Sequence, residues 1–182
     1  SAVTEGDTMP LGAETFDDAL IAANGLKATR EEIIGCIRRI NDAGGHRRNG
    51  IPVLLPGVNL LHGLIGETDR TFRINYETLQ RIRDEGLLVR RINIRKIVPF
   101  PGTPLATAAP RMSGRIANRF EYYKERIRAE IDHAMLQRVY PAGTVIRAAR
   151  VDEVQHGYSL ARQIASYPII CKTPYTYPRS EE

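Results

Sequence analysis

Cysteine occurs only twice in these 182 residues, at Cys36 and Cys171. The two lie far apart and show no metal-ligand spacing, so a metal site built from thiolates is excluded within this chain, and a reducing, cytoplasmic setting is expected. No apolar run approaches the roughly 18–20 residues of a membrane span, and no signal peptide opens the chain. The Gly-x-Ser-x-Gly, Walker-type and His-Glu-x-x-His patterns are all missing, which leaves a hydrolase reading without a nucleophile. Lysine is confined to Lys27, Lys96, Lys124 and Lys172. The positive charge is therefore mostly arginine, whose planar fork suits carboxylates and phosphates. The histidines (His46, His62, His133 and His156) do not cluster, and no internal repeat or low-complexity tract is evident.

What remains is ordinary globular composition, 42% hydrophobic and 26% charged, with a length that fits one domain plus a small appendage. Twenty-six Lys and Arg against twenty-one Asp and Glu give a formal charge of +5, which admits nucleic acid or another anionic partner without demanding one. The chain opens Ser1-Ala2-Val3 with no methionine, and the expectation is a piece of a longer protein.

Periodicity then orders the elements. Thr8 to Glu14 is a short strand candidate, and Asp17 to Asn24 a short helix closed by Gly25. Thr29-Arg30-Glu31-Glu32 is a capping box opening a helix with Ile33, Ile34, Ile37 and Ile40 at helical spacing, ended by Gly44-Gly45. His46 to Gly50 reads as a polar loop. Val53 to Leu64 is apolar enough for a strand buried on both faces. Thr68 caps a helix that Gly86 stops, and Val89 to Val98 makes a third strand. Strand, helix, strand, helix, strand with short links implies right-handed crossovers and parallel pairing. Beyond Pro104 one stripe (Ile116, Phe120, Tyr123, Ile127, Ile131, Met135, Val139) marks a long helix before Pro141. Thr144 to Gln155 and Tyr167 to Cys171 read as strands, with a turn at His156-Gly157. Three parallel strands cannot close a barrel and leave unpaired edges. The expectation is the second half of a partial or full β/α barrel.

Three places could carry chemistry, all at strand exits, where α/β sheets bind ligands. In Asn59 to Thr68, Gly63 and Gly66 either let backbone approach a flat ligand such as adenine or serve a tight turn that needs positive φ, with Glu67 and Thr68 as capping residues. Glu14-Thr15 either binds a ribose or amino group, or Thr15 caps the next helix. Asn93 and Arg95 alternate with Ile92 and Ile94; an inward Arg95 would meet a carboxylate ligand or a structural ion pair. His62 alone of the histidines stands beside this pocket, in a position more typical of a packing residue than of a catalyst.

Taken in order, Leu11-Gly12-Ala13-Glu14-Thr15, Gly63-Leu64-Ile65-Gly66-Glu67-Thr68, Arg91-Ile92-Asn93-Ile94-Arg95 and Pro99-Phe100-Pro101-Gly102-Thr103-Pro104 resemble the C-terminal half of a radical S-adenosylmethionine Fe-S oxidoreductase, with close versions in methylthiotransferase-like members. The resemblance runs from about Leu11 to Leu105. It implies an α/β fold, the second half of a partial (β/α)6 barrel over residues 1–108, followed by a helical connector (109–140) and a β-rich tail (141–182). It also implies that a [4Fe–4S] cluster and S-adenosylmethionine together generate a 5′-deoxyadenosyl radical in the parent protein. By position, Glu14 and Thr15 would lie near the ribose and methionyl part of the cofactor. Asn59, His62, Gly63, Leu64 and Gly66 would pass its adenine, while Arg95, Val98 and Phe100 would help wall the site. Ile65 stands where many relatives have proline. The Cys-x-x-x-Cys-x-x-Cys loop that holds the cluster in this family is missing, so the fragment alone is expected to be inactive and to bind no cluster.

Gly143 to Cys171 more faintly resembles the start of a TRAM-type barrel, with Arg147, Arg150, Arg162 and Tyr158 as candidate RNA contacts, or else a β-extension packed on the barrel. The alternative to an enzyme half is accordingly a basic RNA-binding or assembly module on a half-barrel scaffold. The partners expected are the missing N-terminal half, an unidentified substrate and, through unpaired strand edges, further copies of the fragment.

Overall fold

The computed structural model describes residues 6–103, 106 and 114–179. Three strands, β1 (Asp7–Glu14), β4 (Leu54–His62) and β5 (Arg91–Lys96), form a parallel sheet in chain order β1-β4-β5. Between them run α1 (Asp18–Ala23), α2 (Arg30–Gly44), a two-rung hairpin of β2 (Arg47–Arg48) and β3 (Ile51–Pro52), and α3 (Asp69–Asp84). The mixed α/β class with parallel pairing is as expected. Among the described residues the sheet does not close into a barrel, and β1 and β5 each pair only with β4.

Local chemistry explains the starts and stops. Thr29 and Glu32 cap α2 reciprocally, the Glu32 carboxylate accepting from the Thr29 N–H at 2.8 Å and the Thr29 hydroxyl from the Glu32 N–H at 3.4 Å. Asp17, not Thr15, caps α1, its Oδ1 accepting from the Ala19 N–H at 3.2 Å. Gly44 ends α2 hard against β4, where an added Cβ would meet the Leu54 carbonyl oxygen at 2.5 Å. Only glycine lets that helix lie so close to the strand.

The apolar face of each element is gathered on one side of the sheet. Ile33, Ile34 and Ile37 of α2, Leu79 and Ile82 of α3, and Val58 and Leu60 of β4 share one core with Ile127, Ile131 and Met135. Each fully buried aliphatic side chain there contributes about 1.5–3 kcal/mol. The expected long helix is continuous in direction but not in type: α4 (Gly114–Arg126) passes through a π-helical segment, Ile127–Asp132, into α5 (His133–Val139). Its predicted stripe is buried at Phe120, Ile127, Ile131, Met135 and Val139. Glu130 in the π segment accepts from the Tyr76 hydroxyl and, at 2.8 Å, from Arg126 Nε, which ties the segment to α3.

Three expectations are corrected. Val53 to Leu64 is not buried on both faces: Asn59 and Leu61, on the side away from the helical core, are half-buried. His46 to Gly50 holds the β2 strand, and Arg47 donates to the Val139 and Arg138 carbonyls at 2.9 and 2.6 Å, stapling the hairpin to the end of α5. The tail is a three-stranded antiparallel sheet, β6 (Ala149–Gln155), β7 (Tyr158–Gln163) and β8 (Ile170–Thr173). The His156-Gly157 turn therefore opens a hairpin whose second strand, β7, the pattern did not reveal. The expected 108/109 boundary lies outside the described residues, and the 140/141 boundary falls where α5 has ended at Val139. No described helix is long and apolar enough to cross a membrane.

Two unpaired parallel edges expose rows of backbone donors and acceptors. Sedimentation velocity on the isolated chain is expected to show concentration-dependent association; a monomer throughout the accessible range would contradict it.

Candidate functional site

Alternate residues of a strand face opposite ways, and in this sheet the two faces differ in chemistry. Ala13, Val58, Leu60 and Ile92 point into the helical core. The other face presents Pro10 and Glu14 of β1, Gly57, Asn59 and Leu61 of β4, and Arg91, Asn93 and Arg95 of β5, which together with Tyr167 line a cleft of about 330 Å³. Tyr167 comes from the β7–β8 connection, so the tail supplies a wall. Asn59 and Asn93 are directly opposed in register, and the Asn93 amide donates to Asn59 Oδ1 at 2.8 Å. Arg95 is exposed and makes no hydrogen bond or ion pair among the described residues, so its guanidinium fork stands open to a carboxylate or phosphate.

Glu14 is the most unusual residue of the cleft. A register shift between Gly12 and Glu14 interrupts the β1 ladder, and Glu14 adopts φ 57°, a left-handed conformation costly for a side chain with a Cβ. Among the described residues its buried Oε2 has no hydrogen-bond partner. Burial pushes the carboxyl above the ordinary glutamate range. Backbone strain and an unanswered acceptor at the carboxyl end of a parallel strand are features that a bound donor, such as an ammonium or a pair of hydroxyls, would resolve.

The sign of the linked stability follows. Because folding raises the Glu14 pKa, its contribution is intact below the ordinary carboxylate range and is lost as pH rises from there through the raised pKa. Glu14→Gln is therefore expected to raise Tm at pH 7 and to leave it unchanged near pH 4. Thermal melts at the two pH values check this, and an equal gap at both would contradict it.

Of the residues expected at the site, Glu14, Asn59 and Arg95 come together in the cleft. The others do not. The Thr15 hydroxyl is fully buried and donates to Asn75 Oδ1 at 3.1 Å, an oxygen that also accepts from the Phe16 N–H at 2.7 Å. Buried His62 lies on the helical face, stacked on Phe72 with ring centroids 4.5 Å apart and with Nδ1 2.6 Å from Glu67 Oε1. Glu67 also accepts from the Gly63 N–H at 2.8 Å. Gly63 and Gly66 have φ 100° and 87°, and a Cβ on either would meet only ordinary contacts. Their positive φ is what the turn requires of glycine, and Leu64 is buried beneath it. Val98 and Phe100 are 75% and 74% exposed past the end of β5 and do not line the cleft. Pro104 and Leu105, at the end of the recognised stretch, lie outside the described residues.

Sequence reasoning did not pick out Gly57, Leu61, Arg91 or Tyr167 as site residues. The first three share the period-2 phase of Asn59 and Arg95, which is the signal that could have found them. Tyr167 is a long-range contribution with no local signal. The proposed RNA contacts of the tail are partly engaged internally: Arg162 pairs with Asp152, and the Lys172 ammonium sits 4.0 Å from the centre of the Tyr158 ring.

No family model matches this chain. It is 41% identical over 169 residues, 92% of its length, to an uncharacterized protein of Methanocaldococcus jannaschii, of which it covers 31%. It is 40% identical over 178 residues, 97% of its length, to an uncharacterized protein of Archaeoglobus fulgidus, of which it covers 34%. The chain thus spans about a third of the length of these curated relatives.

Proposed function

We propose that this chain is the cofactor-side half of a radical S-adenosylmethionine barrel, and that the cleft over β1, β4 and β5 receives the cofactor. The observation that carries the reading is Glu14: a strained, partly buried carboxylate whose Oε2 has no partner, at the carboxyl end of a parallel strand. The donor set fits S-adenosylmethionine. Its ammonium and ribose hydroxyls need acceptors, which Glu14 and the Asn59–Asn93 pair offer; its carboxylate needs a donor, which Arg95 offers. Gly57 leaves part of the floor without a side chain. The volume is at the lower end of small-molecule sites, about 300–1,000 Å³.

A [4Fe–4S] cluster does not fit the residues present. Cys36 lies on α2 and accepts from Arg39, and Cys171 lies in β8; two thiols in separate elements cannot form a three-thiolate cradle. The cluster would have to be held by residues outside this chain, in the part of the longer relatives that it does not cover. Were it bound, S-adenosylmethionine would, on accepting one electron from such a cluster, supply hydrogen-atom abstraction from a substrate. This chain's residues would then bind and orient: Glu14 would hold the donor groups of the cofactor and Arg95 its carboxylate.

The test uses the natural full-length polypeptide that carries this sequence, reconstituted anaerobically with iron and sulfide. Equilibrium dialysis with labelled S-adenosylmethionine should show saturable binding that Arg95→Ala weakens by about tenfold, the worth of one charged hydrogen-bonding fork. Absence of binding at millimolar cofactor would overturn the reading.

A further inference from the structure

A second cleft, of about 410 Å³, opens at the other end of β5, where the strand begins. Arg90, Arg91 and Arg162 stand around it with a single carboxylate, Asp132, and its apolar wall is Leu136, Pro168 and Ile170. Of the residues around it, Arg91 and Tyr167 also line the cleft described above. Three arginines against one acid leave an excess of positive charge, reduced but not cancelled by the pairing of Arg162 with Asp152.

The state of the individual groups is more telling than the count. Arg90 is half-buried between the sheet and the tail; its Nη2 donates to the Tyr167 carbonyl at 3.1 Å and its guanidinium lies 4.8 Å from the centre of the Tyr140 ring. Its Nε is buried and has no acceptor among the described residues. Burial first, and then the neighbouring Arg91 charge, disfavour the charged guanidinium, with only Tyr140 and Asp132 opposing them. Arg91 makes no hydrogen bond or ion pair among the described residues and projects its fork into the same space. A buried N–H without an acceptor costs roughly 1–3 kcal/mol, and Arg90 Nε beside the exposed Arg91 fork suits an oxyanion.

The fourth wall is a second, independent feature. Asp132 closes the π-helical segment Ile127–Asp132, and it lines the cleft beside Arg90 and Arg91. Single π turns inside α-helices recur at functional sites, because they re-aim a side chain that the regular helix would point elsewhere. Here the turn brings a carboxylate to the rim of an arginine cluster, which suits a ligand carrying a hydrogen-bond donor next to its anionic group.

We propose that the Arg90–Arg91–Arg162 cleft is an oxyanion-binding site, taking the phosphate or carboxylate end of a ligand whose neighbouring apolar part lies on Leu136, Pro168 and Ile170. Arg91 and Tyr167 line both this cleft and the strand-face cleft, so the two are contiguous along β5. Resting on the function proposed above, the ligand is the anionic end of the substrate, anchored there while its reacting part lies over the strand face. The oxyanion site itself stands without that reading.

The test is direct binding to this chain at fixed ionic strength, with inorganic phosphate and succinate as separate probes. It is followed by calorimetry and by the amide resonances of Arg91, Ile92, Leu136 and Tyr167. Saturable binding by phosphate alone assigns a phosphoryl ligand, by succinate alone a carboxylate; binding of neither overturns the site. Arg91→Ala should weaken the binding probe by about tenfold. Asp132→Asn removes the opposing charge at nearly unchanged size, and should tighten binding a few-fold. Arg95→Ala, at the far end of β5, should leave it unchanged. If Arg95→Ala abolishes binding while Arg91→Ala does not, the anion sits in the strand-face cleft and the proposal fails. A failure of S-adenosylmethionine binding with the oxyanion site intact would overturn the proposed function alone.

Discussion

Replacing Glu14 by glutamine should weaken S-adenosylmethionine binding by about ten- to a hundredfold, the worth of a charge-assisted hydrogen bond at a partly buried acceptor. The same change should make the protein more stable at neutral pH. The two effects share one cause. Glu14 is held at φ 57° with Oε2 buried and unanswered, so its ionised form is disfavoured in the folded chain, and burial raises its pKa. A residue that lowers stability persists where another requirement keeps it, and here that requirement is an acceptor aimed into the cleft. Dialysis of the Glu14→Gln full-length polypeptide against labelled cofactor, beside its melting curve, reads both. Stabilisation without loss of binding would mean that the strained carboxylate is not a ligand.

The largest structural effect is expected at Phe72→Ala, a loss of about 3–5 kcal/mol of unfolding free energy, the usual range for deleting a buried phenyl ring. Phe72 is 1% exposed and stacks face to face on His62, with Tyr123 5.9 Å from it between ring centroids. Phe120 meets the edge of the same imidazole at 5.4 Å. The ring is thus the contact through which α3 and α4 hold the carboxyl end of β4. Removing it leaves a void beside His62 and Glu67, both of which are nearly fully buried. Against a total stability of about 5–15 kcal/mol for a domain, the loss would shift the urea midpoint of the chain by a large fraction. A change under about 1 kcal/mol would show that the helices dock on the sheet by other means.

How much of this could be read in the sequence depended on how local the cause was. The Thr29–Glu32 capping box, the glycine stops and the strand–helix alternation are local, and the structure has them where the pattern put them. The turn at Gly63 and Gly66 was legible as a turn, and both glycines have the positive φ it requires. The face of a strand was the harder matter. Asn59 and His62 are three apart, an odd offset, so a pleated strand must point them to opposite sides. Which side is helical is decided by crossover handedness and packing, neither of which is written in either residue. Thr15 was drawn away from the site by Asn75, sixty residues later in the chain. The π segment leaves the apolar stripe of the long helix intact and so had no signature, while Tyr167 and Arg47 act across long stretches of sequence. The tail strand β7 was missed because Tyr158 to Gln163 mixes apolar and polar residues without a strict alternation.

The central claim, that the strand face with Glu14 holds S-adenosylmethionine for radical chemistry, is tested most directly in the full-length polypeptide. Reconstituted with iron and sulfide and reduced with dithionite under anaerobic conditions, it should release 5′-deoxyadenosine from S-adenosylmethionine, and Glu14→Gln should slow that release at subsaturating cofactor. A cluster-loaded protein that binds no S-adenosylmethionine and releases no 5′-deoxyadenosine would contradict it.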